Sequence, residues 1–322
     1  MRHLSSLFFL MTLTLLAQAS DKVTGTVDFK PLDDQQKVPA EYRLEPHQFA
    51  FEMELKQDHE KDGYQVFNVR FPSAVTTKYP VNNTVHCEWY RPNGPGPFPT
   101  TVVLDILGGD QKLSRVQSSY LARKGIACLF VQMAYYGPRR PQGTKVRLLM
   151  PDIDHTLGAI RQTVLDVRRA AAWLASRPEV DQQRLGIVGT SLGSFMGTLT
   201  AEMEPRFKKV AIVLGGGGVV DAFYDHPQGA PIRLLWESLG GTKEKLQKLI
   251  AIADPITRAE NLKDRQVLMI AAKKDEIVPP SACIRMWEAL GKPKIVWYEA
   301  GHYTAILFIT NALEHTVEHF KK

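Results

Sequence analysis

A serine between two glycines stands at residues 189–193, where Gly189-Thr190-Ser191-Leu192-Gly193 fits the pattern G-x-S-x-G. In that pattern a strained turn between a strand and a helix pushes the serine Oγ out of the sheet, and close backbone contacts favour the glycines. The N–H groups at the start of the helix favour a developing oxyanion. Serine is also a common helix cap, so these five residues fit a structural role too.

A nucleophilic serine needs a base, because its protonated hydroxyl attacks poorly. The chain has nine histidines. Only His302, in "WYEAGHYTA", directly follows a late predicted strand and precedes a predicted helix, and Gly301 leaves room for the ring to reach over the sheet edge. We expect His302 to be the general base.

The third group must be an acid that holds the imidazole in the right tautomer and stabilises its charged form. "MIAAKKDEIVPP" supplies Asp275 in the loop after the preceding strand. Asp221, after the strand that ends in "GGGG", is the alternative. The chain order Ser191, Asp275, His302 is the order expected for nucleophile-elbow enzymes and favours Asp275.

Two backbone donors must hold the oxyanion. One is predicted to be the N–H of Leu192, and the other to come from Gly109 in the loop 107–110 after "TTVVLDIL". The alternative for this loop is a plain turn. The segment "AYYGPRRP" follows another strand, so Tyr135, Tyr136 and Arg139 are candidate substrate contacts, although a solvated loop fits it as well.

These residues need a scaffold that brings the ends of several strands together. Short apolar strands alternate with helices from residue 100 onward, which indicates an α/β fold with a mostly parallel central sheet covered by helices on both faces. A helix predicted over 159–176 carries Ile160, Val164, Val167, Ala171 and Leu174 on one face. Ligands bind at the carboxyl ends of such strands, which is where the candidate residues stand.

The chain resembles the α/β-hydrolase family over roughly residues 90–322, and within it the dienelactone-hydrolase and acetyl-esterase-like branch, close to prolyl-oligopeptidase catalytic domains. "DVRRAAAWLASRPEVDQQRLGIVGTSLG", "DEIVPP" and "AGHY" carry the resemblance. It implies that Ser191 is the nucleophile, Asp275 the orienting acid and His302 the base. Two positions depart from the pattern of many relatives: Leu107 replaces a histidine and Ser194 a glycine.

The predicted organisation is a signal peptide at 1–19, a polar and loosely ordered leader at 20–46, and an α/β-hydrolase domain at 47–322. A helical, lid-like insertion at 219–262 is expected after the sixth strand. The first 19 residues have a short basic start, an apolar core and Ala17-Gln18-Ala19 as a small-x-small cleavage site. An uncleaved anchor is the alternative. We expect a secreted or periplasmic protein without an integral membrane segment after signal removal.

Composition excludes several other classes of function. The 322 residues carry a formal charge of +6 from intermixed acidic and basic residues, which does not favour nucleic-acid binding. The run Gly215–Gly218 lacks the context of a phosphate-binding loop. The three cysteines show no metal-ligand spacing, and a Cys87–Cys283 disulfide stays open.

The sequence therefore predicts an exported serine hydrolase that cleaves small or carbohydrate-linked carboxylic esters through an acyl-enzyme, with no cofactor. A peptidase-like hydrolase and a non-catalytic binding protein on the same fold are the alternatives.

Overall fold

The computed structural model describes residues 22–32, 34–108 and 110–322. The strands of the described residues form one sheet and are β1 (Val23–Phe29), β2 (His47–His59), β3 (Tyr64–Pro72), β4 (Thr84–Pro92), β5 (Phe98–Leu104), β6 (Ala127–Val131), β7 (Val180–Thr190), β8 (Lys209–Val213), β9 (Gln266–Ala272) and β10 (Lys294–Tyr298). Their order is β1-β2-β3-β4-β6-β5-β7-β8-β9-β10. The pairs from β1 to β4 and on to β6 are antiparallel, and those from β6 to β10 are parallel.

The α-helices of the described part are α1 (Lys112–Arg123), α2 (Ile153–Ala175), α3 (Leu192–Met203), α4 (Val219–Phe223), α5 (Ala230–Ser238), α6 (Lys243–Ile250), α7 (Pro280–Ala289) and α8 (Ile309–Lys321). The connecting segments contain short 3-10 helices at Ala40–Tyr42, Glu60–Asp62, Pro80–Asn83, Gly137–Arg139, Pro227–Gly229, Ala251–Ala253, Pro255–Leu262 and Thr304–Phe308.

Alternation along the buried strands explains the two helical layers. Successive strand residues point to opposite faces of a sheet. Val102 and Ile187 therefore join the core formed with α2, α3 and α7, whereas Val103 and Val188 join the core formed with α1 and α8. The predicted mostly parallel sheet with helices on both faces is confirmed. The predicted apolar face of α2 is buried as well, at Ile160, Val164, Val167, Ala171 and Leu174.

The N-terminal part of the sheet extends further than expected. Residues 23–29, predicted to belong to a loosely ordered leader, form β1 and pair antiparallel with β2. Val27 and Phe29 are 2% and 1% exposed, so they are part of the core. The prediction failed here because only these two apolar side chains mark the buried face of an otherwise polar strand.

The segment 219–262 contains α4, α5, α6 and three 3-10 helices. It follows β8, the eighth strand in chain order, and not the sixth as expected, because β1 and further antiparallel strands precede the parallel series. Leu234, Leu235 and Leu239 in and after α5 are more than half exposed.

The three cysteines are buried free thiols, so the structure contains no Cys87–Cys283 disulfide. None of the helices formed by residues 22–32, 34–108 and 110–322 has the length and apolar character needed to cross a bilayer. The predicted signal peptide at 1–19 lies outside the described residues.

Candidate active site

Ser191 lies between β7 and α3 in a strained backbone conformation, with φ 52° and ψ −119°. A positive φ of this kind costs a non-glycine residue about 1–3 kcal/mol and persists only where the surroundings enforce it. Here the Ser191 N–H donates to the Val213 carbonyl at 2.8 Å, and its own carbonyl accepts the Ser194 hydroxyl at 2.6 Å. The turn is therefore held on both sides by hydrogen bonds. The serine that replaces the common second glycine supplies one of them.

The flanking glycines are required by close backbone contacts. A Cβ on Gly189 would lie 2.0 Å from the Gly193 carbonyl oxygen, and a Cβ on Gly193 would lie 2.4 Å from that of Leu104. Contacts this short do not occur, so a side chain at either position would force the strand and the helix apart. Gly215 is enclosed by side chains instead, because a Cβ there would lie 2.0 Å from Ser194 Oγ.

The three predicted catalytic side chains form a continuous hydrogen-bonded chain. His302 Nε2 lies 3.0 Å from Ser191 Oγ, and His302 Nδ1 lies 2.8 Å from Asp275 Oδ2. Ser191 is 7% exposed, and the side chains of His302 and Asp275 are 9% and 3% exposed. Burial at this level strengthens each charge-assisted bond, because little water competes for the polar atoms.

Asp275 is oriented by the backbone that follows it. Its Oδ1 accepts the N–H groups of Ile277 and Val278 at 2.9 and 2.7 Å, which leaves Oδ2 directed at the imidazole. The alternative acid, Asp221, lies on α4 and accepts a hydrogen bond from Gln247 at 2.9 Å. The structure therefore joins His302 to Asp275 and not to Asp221.

Glu276 holds the histidine loop in place. Its Oε2 accepts the backbone N–H of His302 at 3.1 Å. A Cβ on Gly301 would lie 2.6 Å from the same oxygen, so glycine at 301 makes room for this carboxylate. This role of Glu276 could not be predicted, because in the sequence a carboxylate next to the orienting acid is indistinguishable from an ordinary solvated residue.

The predicted oxyanion donors are Leu192 and Gly109. Leu192 is the first residue of α3, where N–H groups lack intrahelical partners, so its N–H is available to a substrate oxygen. Gly109 lies outside the described residues. The loop beside it is fixed by Tyr136, whose hydroxyl donates to the Ile106 carbonyl and accepts the Gly108 N–H, both at 3.1 Å. Burial raises the pKa of Tyr136 to about 12, so this hydroxyl keeps its proton.

The structure places the three candidate substrate contacts away from open space and against other parts of the protein. Arg139 is fully buried and pairs with Asp166 at 2.7 Å, so its prediction as a substrate contact is wrong. The prediction failed because an arginine in a loop is usually solvated, and a buried carboxylate partner is seldom found for it. Tyr135 is 7% exposed and its ring packs against Tyr79 and His155. Tyr136 holds the 106–108 loop instead of reaching into open space.

The described part of the chain contains no group of three or more His, Cys, Asp or Glu side chains that could hold a metal ion. The arrangement around Ser191 has the parts needed for acyl transfer: an activated hydroxyl, an oriented base and a helix N-terminus for the oxyanion.

Two family models match the chain. Alpha/beta hydrolase domain containing 18 matches residues 33–224, and the prolyl oligopeptidase family matches residues 156–311. The resemblance inferred from the elbow, acid and histidine segments is thus confirmed at the level of the α/β hydrolases.

Curated relatives include the mitochondrial acyl-coenzyme A thioesterase 2 of Rattus norvegicus, 26% identical over 277 residues, which cover 79% of this chain and 57% of the relative. An uncharacterized protein of Mycobacterium tuberculosis is 28% identical over 189 residues, which cover 55% of this chain and 42% of the relative. The chain spans about half the length of the curated relatives it matches.

Solved structures share the fold. An acetyl xylan esterase from Paenibacillus sp. R4 superposes with a TM-score of 0.67 at 22% identity, covering 83% of this chain and 88% of that one. A putative dienelactone hydrolase from Klebsiella pneumoniae superposes with a TM-score of 0.53 at 19% identity, covering 74% of this chain and 93% of that one.

Proposed function

Because the chain belongs to the family described as alpha/beta hydrolase domain containing 18, we propose that it is a serine hydrolase that cleaves carboxylic esters. The observation that carries the proposal is the chain of hydrogen bonds from Ser191 Oγ through His302 to Asp275, at 3.0 and 2.8 Å. A strained serine between two obligatory glycines supports it further, because such strain clusters at functional sites.

The mechanism follows from these contacts. His302 Nε2 takes the hydroxyl proton while Ser191 Oγ attacks the ester carbonyl, and Asp275 stabilises the imidazolium that forms. The Leu192 N–H, together with a donor from the loop that Tyr136 holds, binds the oxyanion. His302 then gives the proton to the leaving alcohol. A water activated by the same imidazole finally hydrolyses the acyl-enzyme.

The proposed substrates are small esters and acylated carbohydrates, and the proposed location is outside the cytoplasm. The basic start, apolar core and small-x-small site of residues 1–19 support export. The name of the Paenibacillus neighbour, an acetyl xylan esterase, supports an acylated carbohydrate by analogy of fold alone. The helical segment 219–262 is proposed to cover the site and restrict which esters enter.

A thioester is the second candidate substrate. The named curated relatives are acyl-coenzyme A thioesterases, and their similarity extends over 79% of this chain. The same serine, base and oxyanion donors can attack a thioester carbonyl, so the site geometry accommodates both substrates.

Hydrolysis assays with wild type and Ser191→Ala test the proposal. We expect wild type to cleave 4-nitrophenyl acetate or butyrate, and Ser191→Ala to fall to the background rate. Equal rates in the two proteins, or no cleavage by wild type, would leave a non-catalytic binding protein as the better account. A parallel panel of acetylated sugars, acetyl-coenzyme A and a chromogenic peptide ranks ester, thioester and peptide hydrolysis.

A further inference from the structure

A polar cavity lies beside the oxyanion loop, the segment of residues 106–110. It has a volume of about 370 Å³, and the side chains that line it come from β2, β3, β4, α1 and the segment after β6. Its charged members are Lys56, Arg70, Glu88 and Arg115, and the titratable side chains of His86 and Cys87 also line it. The mechanism above uses none of these residues.

Strand alternation explains why so many charges share this cavity. Asn68 pairs with Glu88 and Arg70 with His86 across β3 and β4, so all four side chains point to one face of the sheet. The residues between them point to the opposite face, where Val69 is fully buried in the core. This polar face would be ordinary surface if α1 did not lie over it. Arg115 of α1 closes the cavity from above.

Glu88 orients two of the cations. It is 4% exposed, and its Oε1 accepts Lys56 Nζ at 2.6 Å and Arg115 Nη2 at 2.8 Å. Its Oε2 accepts Tyr90 Oη at 2.8 Å and Arg115 Nε at 3.1 Å. A carboxylate with both oxygens occupied acts as a fixed anchor. It positions Lys56 and Arg115, whose side chains stay 36% and 38% exposed.

The cavity is electropositive. Three cations and one carboxylate line it, while Glu54 reaches Arg70 at 2.9 Å and is not among the lining residues. Within the described residues, only Nη2 of Arg70 is hydrogen-bonded, to Glu54. In Arg115, Nε and Nη2 are hydrogen-bonded, to Glu88 and Gln111. N–H groups of both guanidiniums thus remain for a ligand. Burial first, and then the charges of Arg70 and Arg139, lower the pKa of His86 to about 4.

The cavity shares a wall with the oxyanion loop. Gln111 accepts Arg115 Nη2 at 2.9 Å and donates to Gln132 Oε1 at 3.2 Å, and its backbone is strained at φ 69°. Gln132 in turn packs on Gly137, where a Cβ would lie 1.8 Å from Gln132 Oε1. Tyr136, the neighbour of Gly137, holds Gly108 in the oxyanion loop. A ligand in the cavity is therefore linked to the site by packed side chains.

We propose that this cavity is a subsite for an oxyanion, a carboxylate or a phosphate group, carried by the ester substrate. The subsite rests on the proposed ester hydrolysis, but anion binding to it does not. Two arginines and a lysine around one cavity suit an oxyanion, because guanidinium groups match the geometry of carboxylate and phosphate.

Calorimetric titration of the full chain with inorganic phosphate and with glutarate tests anion binding without any turnover. We expect at least one of them to bind, and Arg70→Gln and Lys56→Gln each to weaken that binding about tenfold, as loss of a charged hydrogen bond implies. Arg123→Gln removes the same charge from a side chain that is 51% exposed on the outer end of α1 and serves as the control. No binding, or equal affinity in all four proteins, would overturn the proposal.

Steady-state kinetics then test whether the bound anion occupies the place of a charged group on the ester substrate. The 4-nitrophenyl hemi-esters of dicarboxylic acids of increasing length are compared with the neutral butyrate ester. We expect the bound anion to compete with at least one hemi-ester, and Arg70→Gln to raise the KM of that hemi-ester while the butyrate rate stays within twofold. An anion that binds without competing against any hemi-ester would overturn the subsite. If the wild-type protein cleaves none of these esters, the proposed ester hydrolysis is refuted, while the calorimetric result still stands. The tighter competitor, phosphate or glutarate, identifies the group.

Discussion

Ser191 is held in a conformation that its own backbone disfavours, and this defines the site at the scale of single residues. Gly189 and Gly193 have no space for a Cβ, so residue types are fixed on both sides of the serine. His302 and Asp275 then need only reach the same sheet edge. These three side chains could be predicted because each follows a strand and because the G-x-S-x-G pattern has a stereochemical cause.

Other functional contacts could not be predicted, because they depend on pairs far apart in the chain. Tyr136 reaches the 106–108 loop, and Arg139 reaches Asp166, across separations that no local pattern records. Both were expected to contact substrate on the ground that their segment follows a strand. The segment does follow β6, but both side chains bond to other parts of the protein.

Replacing Asp275 by Asn tests the orienting acid. Asn would keep the size of the side chain but lose the charge that stabilises the imidazolium, so we expect kcat to fall by about 10³- to 10⁴-fold with the fold intact. Asp221→Asn, the matched control, should leave the rate of ester hydrolysis unchanged. A larger loss in Asp221→Asn than in Asp275→Asn would reverse the assignment of the acid.

At the scale of elements, α2 is tied to the loop after β6 and to the chain after β3 by a buried ion pair. Asp166 Oδ1 accepts Ser73 Oγ at 2.8 Å and the Ala74 N–H at 2.9 Å, while Oδ2 accepts Arg139 at 2.7 Å. Both charged side chains are at most 1% exposed. The pair therefore positions the 132–139 segment, which carries Tyr136.

Asp166→Ala should destabilise the protein by about 3–5 kcal/mol, because it leaves the Arg139 charge buried without a carboxylate. Asp62→Ala removes the partner of Arg123 from an exposed pair with side chains 51% and 40% exposed and should cost less than about 1 kcal/mol. Urea unfolding followed by circular dichroism measures both. Equal shifts of the two midpoints would show that burial does not decide the cost.

At the scale of the whole molecule, the parallel half was predictable and the N-terminal half less so. Strands β6, β8 and β9 are nearly continuous apolar runs, since helices cover both of their faces. By contrast β1 buries one face only and shows a weak pattern. The position of α5 and α6 relative to the sheet is likewise set by tertiary contacts, so periodicity predicted helices in 219–262 without their arrangement.

The pH dependence of global stability follows from His319, on the last helix. Burial first, and then the charges of Lys209 and Lys294, lower its pKa to about 4. The unfolded chain binds a proton near pH 6.5, whereas the folded chain does not until about pH 4. The stabilisation that neutral His319 contributes is therefore fully present above pH 6.5. It is lost as the pH falls toward 4, by up to about 1.4 kcal/mol per pH unit.

His86 shifts in the same direction, so both histidines contribute to the slope. We expect His319→Gln to flatten the pH dependence of the unfolding free energy between pH 5 and 6.5, measured by urea titration at several pH values. An unchanged slope would mean that His319 is already protonated in the folded protein.

Covalent labelling with a fluorophosphonate tests the central claim, that Ser191 is an activated nucleophile, without assuming any substrate. The serine oxygen displaces fluoride from phosphorus only when the base and the oxyanion donors are in place. We expect intact-mass spectrometry to show one adduct on wild type, mapped by peptide sequencing to Ser191, and no adduct on Ser191→Ala. An unmodified wild type, or equal labelling of the two proteins, would contradict the account.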